Sequence, residues 1–166
     1  MKALLTGLAL LASALTPLGA RGSNEADIRA TYGAFAAAQN ARDLHRVRAL
    51  LIDSPRFLWV SDGMSAWGAE ATLARMASFQ EAPVWRVEPD LARAVAVDVG
   101  ADAGFLHLPL RLVIGVGDNP DRLRFLVSAL CVRTPNGWRI AALFTTSEPA
   151  GHGTCRPDLN ERDGAE

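Results

Sequence analysis

Two long alternating runs constrain this chain more than any other feature. From Phe105 to Val116 the even positions, Leu106, Leu108, Leu110, Leu112, Ile114 and Val116, are all apolar. The odd positions Phe105, His107, Pro109, Arg111 and Val113 are mixed. From Arg122 to Arg133, Leu123, Phe125, Val127, Ala129 and Cys131 make one apolar face. A period of two marks a strand. Gly117-Asp118-Asn119-Pro120 between the runs has turn chemistry, so together they predict a long antiparallel hairpin. A sheet wetted on one side alternates cleanly. Here the second face, with Leu126, Leu130 and Val132, is also largely apolar. The pattern therefore predicts cover on both faces, helices on one and a second copy of the chain on the other. Pro109 inside a strand predicts a bulge or a bend.

Helices come first along the chain. Asn24 can cap a helix from Glu25 to about Ala41, with Ile28, Tyr32, Phe35 and Gln39 on one face. Asp43 can cap a short helix over Leu44 to Leu51, which Ser54-Pro55 ends. Phe57 to Ser61 and Met64 to Trp67 read as strands around Asp62-Gly63, a tight hairpin signal. A third helix over Ala69 to Gln80 turns Leu73, Met76 and Phe79 or Gln80 inward. Val84 to Glu88 and Arg93 to Val99 are two short strands or one broken one. Gly137 to Ser147 is the last strand, and a polar tail follows. Segregated helices and strands of this kind give an α+β domain.

The 166 residues suit one domain, and 49% hydrophobic with 21% charged residues is a globular composition. A net charge of −1 argues against a nucleic-acid surface, which needs a basic patch. Met1-Lys2 followed by the apolar run Ala3 to Leu15 and the helix-breaking Thr16-Pro17-Leu18-Gly19-Ala20 reads as an export signal cut after Ala20. The mature chain is then periplasmic or secreted and free of the membrane, because no later segment has the length and hydropathy to span one as a helix. Export permits a disulfide between Cys131 and Cys155; two free thiols, one buried, is the alternative. His45, His107 and His152 lack ligand spacing and there is no CxxC, so neither metal nor cofactor is expected.

The order helix, helix, hairpin, helix and then antiparallel strands resembles the nuclear transport factor 2-like superfamily, and within it the SnoaL-like and ketosteroid-isomerase-like domains. The carriers are the run Tyr32 to Leu44, Phe57-Leu58-Trp59-Val60-Ser61-Asp62-Gly63, Trp67-Gly68 and Gly137-Trp138-Arg139-Ile140. The resemblance covers about Asn24 to Glu148. It implies a strongly curved antiparallel sheet wrapped on three helices as a cone-shaped α+β barrel, with a pocket at its open end, and it supports the homodimer. It leaves activity open, since one fold hosts many functions. In ketosteroid isomerases a carboxylate base lies where the first hairpin begins, and Asp62 matches that position. Their enolate is held by a Tyr on the first helix and an Asp on a late strand. Here the corresponding positions are nearer Phe35, with Tyr32 one turn earlier, and Ala129 or Cys131. The oxyanion pair does not carry across.

The candidate acid/base residues are therefore Asp62 and His107. Asp62 also has a plain role as a turn residue. Arg111 lies on the same strand face as His107 and would bind an anion if that face met the pocket. Tyr32, Phe35, Gln39, Trp59, Met64 and Trp67 complete the expected pocket wall. Three functions fit: an exported small-molecule binder with an apolar pocket; a cofactor-free isomerase, dehydratase or hydrolase using Asp62 or His107; or a dimerisation or envelope-interaction module.

Overall fold

The computed structural model describes residues 24–148. The elements run α1 (Asn24–Asn40), α2 (Leu44–Leu50), β1 (Leu58–Ser61), β2 (Met64–Trp67), α3 (Ala69–Gln80), β3 (Val84–Pro89), β4 (Val95–Gly100), β5 (Ala103–Gly115), β6 (Asp121–Thr134) and β7 (Gly137–Ser147). The segment read as an export signal, the expected cut after Ala20 and the polar tail with Cys155 lie outside the described residues.

Local chemistry sets the helix and turn boundaries. The Asp43 carboxylate accepts a 2.8 Å hydrogen bond from the Arg46 backbone N–H and caps α2. At the β1–β2 turn Asp62 and Gly63 have φ of 47° and 80°. Two consecutive positive values make the turn that matches strand twist, which is why the sequence places Asp-Gly there.

The strands form one curved, unclosed sheet in the order β2-β1-β7-β6-β5-β3, with β4 also paired to β5. It is mixed, which corrects the all-antiparallel expectation: β1 runs parallel to β7. The antiparallel rule binds only strands joined by hairpins. The chain reaches β1 from the helical layer, and already at Leu51 it bridges Ile140 in parallel.

Pro109 lies where β5 changes partner. β4 pairs with β5 up to His107, and β3 pairs with it from Leu110. A residue without an N–H loses no ladder bond at that handover, and the Pro109 carbonyl accepts from the Asp90 N–H at 2.9 Å. Pairing with β6 continues unbroken through Pro109–Leu126, so the residue marks a change of neighbour and not a bulge. The irregularities fall instead at Asp98/Gly100 and at Leu130/Cys131.

The concave face carries the core. Leu106, Leu108, Ala129, Cys131 and Ile140 from the sheet pack with Ile28, Tyr32, Phe35 and Val47 from the helices, all essentially removed from water. Each large apolar side chain buried in this way contributes about 1.5–3 kcal/mol. The closest approach is at Gly104, where any Cβ would collide with the Ile28 side chain, so α1 packs directly on the β5 backbone. At its other end α1 grips an edge strand. Asn40 accepts from the Val87 N–H at 2.7 Å and donates to the Val87 carbonyl at 2.8 Å, acting as a one-residue strand on the free side of β3. Asn40→Ala is expected to cost about 1–3 kcal/mol by stranding the Val87 backbone, measured as a lower urea midpoint with unchanged m-value.

Candidate functional site

The filled core stops at Pro109. Beyond it the same concave face continues with Leu110, Leu112 and Ile114 of β5 and Leu123 and Phe125 of β6, but α1 no longer covers them fully. The result is an apolar cavity of about 260 Å³. Tyr32, Phe35 and Gln39 of α1 form one wall. Met76, Arg75 and Phe79 of α3 form another, and Trp59, Ser61, Asp62, Leu143 and Thr145 of β1, its turn and β7 the third. Trp85 and Val87 of β3, the strand held by Asn40, close the remaining side.

Its polar groups are few and unequal. Tyr32 is only 2% exposed, and its hydroxyl has no hydrogen-bond partner among the described residues. Burial pushes its pKa well above the ordinary tyrosine range, so the hydroxyl stays protonated and can donate. The Gln39 side-chain amide, also buried on the cavity wall, is likewise unpartnered among the described residues. Its backbone carbonyl, by contrast, accepts from Trp85 Nε1 at 3.2 Å and from Gln80 Nε2 at 3.4 Å. Both groups are left on the cavity wall for an occupant or ordered water to meet.

Among the described residues, Asp62 and Arg75 are the only charged ones on the lining. Asp62 is exposed and turned toward the end of β7, where its Oδ1 accepts from the Ser147 N–H at 3.3 Å and the Ser147 hydroxyl at 3.0 Å. Arg75 lies with its guanidinium 4.7 Å from the centre of the Trp59 ring and 5.7 Å from that of Phe79. Those two rings meet edge to face at 6.4 Å, and Trp59 Nε1 donates to the Thr145 hydroxyl at 3.2 Å. The stack is worth about 0.5–1 kcal/mol and fixes where the charge sits.

Of the residues expected in the site, Tyr32, Phe35, Gln39, Trp59 and Asp62 meet at this cavity. Four others do not. His107 and Arg111 are odd-numbered on β5 and point to the opposite, convex face. There His107 Nδ1 lies 3.0 Å from Ser128 Oγ and Arg111 pairs with Glu88 at 3.4 Å. The concave face takes the even residues because these are the uniformly apolar set. Met64 and Trp67, 63% and 61% exposed, lie outside on β2, since the hairpin leaves the cavity wall after Ser61. Arg75 and Phe79 were missed, because a helix face read for burial alone discards an arginine; the aromatic at i+4 from Arg75 was the available signal. The late-strand positions that would hold an oxyanion donor, Ala129 and Cys131, are fully buried core residues.

The SnoaL-like domain family matches residues 28–143, and the chain belongs to that family. No curated protein matches it. Among solved structures it is similar to a candidate dehydratase of the nuclear transport factor 2-like family from Streptomyces avermitilis, at 14% identity and a TM-score of 0.68 over 77% of this chain and 98% of that one. A ketosteroid isomerase-like protein from Erwinia carotovora shares 19% identity, with a TM-score of 0.62 over 78% and 100% of the two chains. A nuclear transport factor 2-like protein of cystatin-like fold from Novosphingobium aromaticivorans gives 14%, 0.64, 75% and 82%. Likenesses at these identities establish the fold, a cone of sheet on helices, and no chemistry.

Cys131 packs in the core beneath the cavity, where burial pushes its thiol pKa up to about 12. The unfolded thiol, near 9.0, therefore ionises first as pH rises. Stability is full below pH ~9 and is progressively lost between ~9 and ~12, because the unfolded chain then binds fewer protons. In a Cys155→Ser variant, Cys131 is expected to resist a thiol-specific reagent at pH 8 until denaturant is added, and urea midpoints are expected to fall above pH ~9.

Proposed function

We propose that the chain is an exported small-molecule-binding domain whose ligand occupies the cavity between α1, α3 and the open half of the sheet. The observation that carries this reading is an apolar cavity whose wall carries two polar groups that no described residue hydrogen-bonds, the Tyr32 hydroxyl and the Gln39 amide. Ligand sites combine apolar walls with a few convergent polar groups in this way. Export rests on the signal-like N-terminus, with the mature chain acting in the periplasm or outside the cell. An enzyme using Asp62 as a base ranks second: the carboxylate stands at the rim, but Ala129 and Cys131 offer no oxyanion partner. Native mass spectrometry of protein purified gently from periplasm tests the binder reading. A discrete added mass that denaturation releases is expected, and Leu110→Trp, which fills the cavity, is expected to lose it while keeping the wild-type circular dichroism. Protein that carries no added mass, and gains none from a periplasmic extract, would contradict the reading.

We further propose that the chain is a homodimer, paired through the convex sheet face. The register there sets Trp67, Leu58, Ala142, Leu130, Phe105 and Val97 in one row across six strands. Ser65, Val60, Phe144, Ser128, His107 and Val95 stand in the next row. Trp67, Val97, Phe144 and Leu130 are 61%, 44%, 41% and 37% exposed. An apolar area this continuous is unusual on a monomer surface. Leu130→Asp is expected to convert a dimer to a monomer in sedimentation velocity; a wild-type protein that sediments as a monomer at micromolar concentration would contradict the proposal.

A further inference from the structure

The cavity is asymmetric in charge, and the asymmetry identifies a ligand class. Its depth is apolar and neutral. Its rim holds one guanidinium, Arg75, that makes no ion pair with any described carboxylate. Asp62, the other charged group on the lining, is engaged by Ser147 and is not within ion-pair distance of Arg75. The guanidinium carbon lies over both the Trp59 and Phe79 rings. None of its N–H groups donates to a described residue, and a planar fork of donors suits a carboxylate best. The arrangement is also rigid: Trp59 is pinned by Thr145, and Arg75 and Phe79 are one helical turn apart on α3. Little side-chain entropy would be lost when an anion docks there.

We infer that the cavity takes an apolar monocarboxylate, its hydrocarbon or aryl body among Phe35, Leu110, Leu112 and Phe125 and its carboxylate on Arg75. This rests on the binder reading above and specifies what is bound. Size restricts the class further. About 260 Å³ falls below the range usual for drug-sized ligands, and a medium-chain fatty acid or a single-ring arylalkanoate suits it. Tyr32 and Gln39, deep on the α1 wall, would then meet a hydroxyl or carbonyl farther along the ligand.

Isothermal titration of the mature chain with octanoate and 4-phenylbutanoate, each beside its primary amide, tests the inference. The amides keep the body and lose the charge. Wild type is expected to bind at least one acid about ten- to a hundredfold more tightly than its amide. Arg75→Gln is expected to remove that preference, leaving the amide's affinity as it was, and Arg75→Lys to restore part of it. Circular dichroism confirms that the variants fold. Acid and amide binding equally would overturn the carboxylate assignment and leave the binder reading standing. An acid preference that survives Arg75→Gln would overturn the role of Arg75. If neither acids nor amides bind, while Leu110→Trp leaves a co-purified mass in place, both the assignment and the cavity's role are wrong.

Discussion

Everything in this molecule depends on how closely α1 can lie on β5. At Gly104 the strand contributes no side chain, and the Ile28 side chain of α1 occupies the space a Cβ would need. That contact seals one end of the concave face. Leu106, Leu108, Ala129 and Cys131 are fully buried beneath it. The strands outrun the helical cover, so the same stripe of leucines that makes core before Pro109 makes cavity wall after it. One alternating sequence thus builds both the stable end and the hollow end.

The edge of the hollow end needs separate support. β3 pairs on one side with β5 and would otherwise present open backbone on the other. Asn40, the last residue of α1, satisfies both Val87 backbone groups there. Arg42 adds hydrogen bonds to the carbonyls of Ala82 and Pro83 at 2.8 and 3.1 Å, and another to that of Gln80, tying the end of α1 to the chain between α3 and β3. Val87 is held as a wall by Asn40, which does not line the cavity. A carboxamide at the end of α1 and a guanidinium just beyond it therefore help set the shape of an apolar space.

Strand length, hairpin chemistry and the inward face of α1 were legible in the sequence, because periodicity reports directly on which side chains leave water. Asp62-Gly63 and the even residues of β5 are examples. Three features were not. The parallel β1–β7 pair depends on where α2 delivers the chain, which no local pattern encodes. The facing of His107 was ambiguous, since a mixed face can border either a pocket or an interface; the uniformly apolar partner face decides it. Arg75 was invisible because its importance arises from Trp59, sixteen positions earlier, and becomes evident only when α3 folds across the end of β1. The fold was thus written in short-range chemistry, while the site is a product of long-range contacts.

The central claim is that the half of the cone beyond Pro109 is a real apolar space and not a collapsed one. A crystal structure of the mature protein under xenon pressure tests this most directly, because xenon enters dry apolar cavities without needing any particular ligand. The account predicts xenon between Phe35, Leu110 and Phe125, with the surrounding side chains unmoved. Finding that space filled by Phe79, Leu110 or Trp85, with no xenon bound, would contradict it.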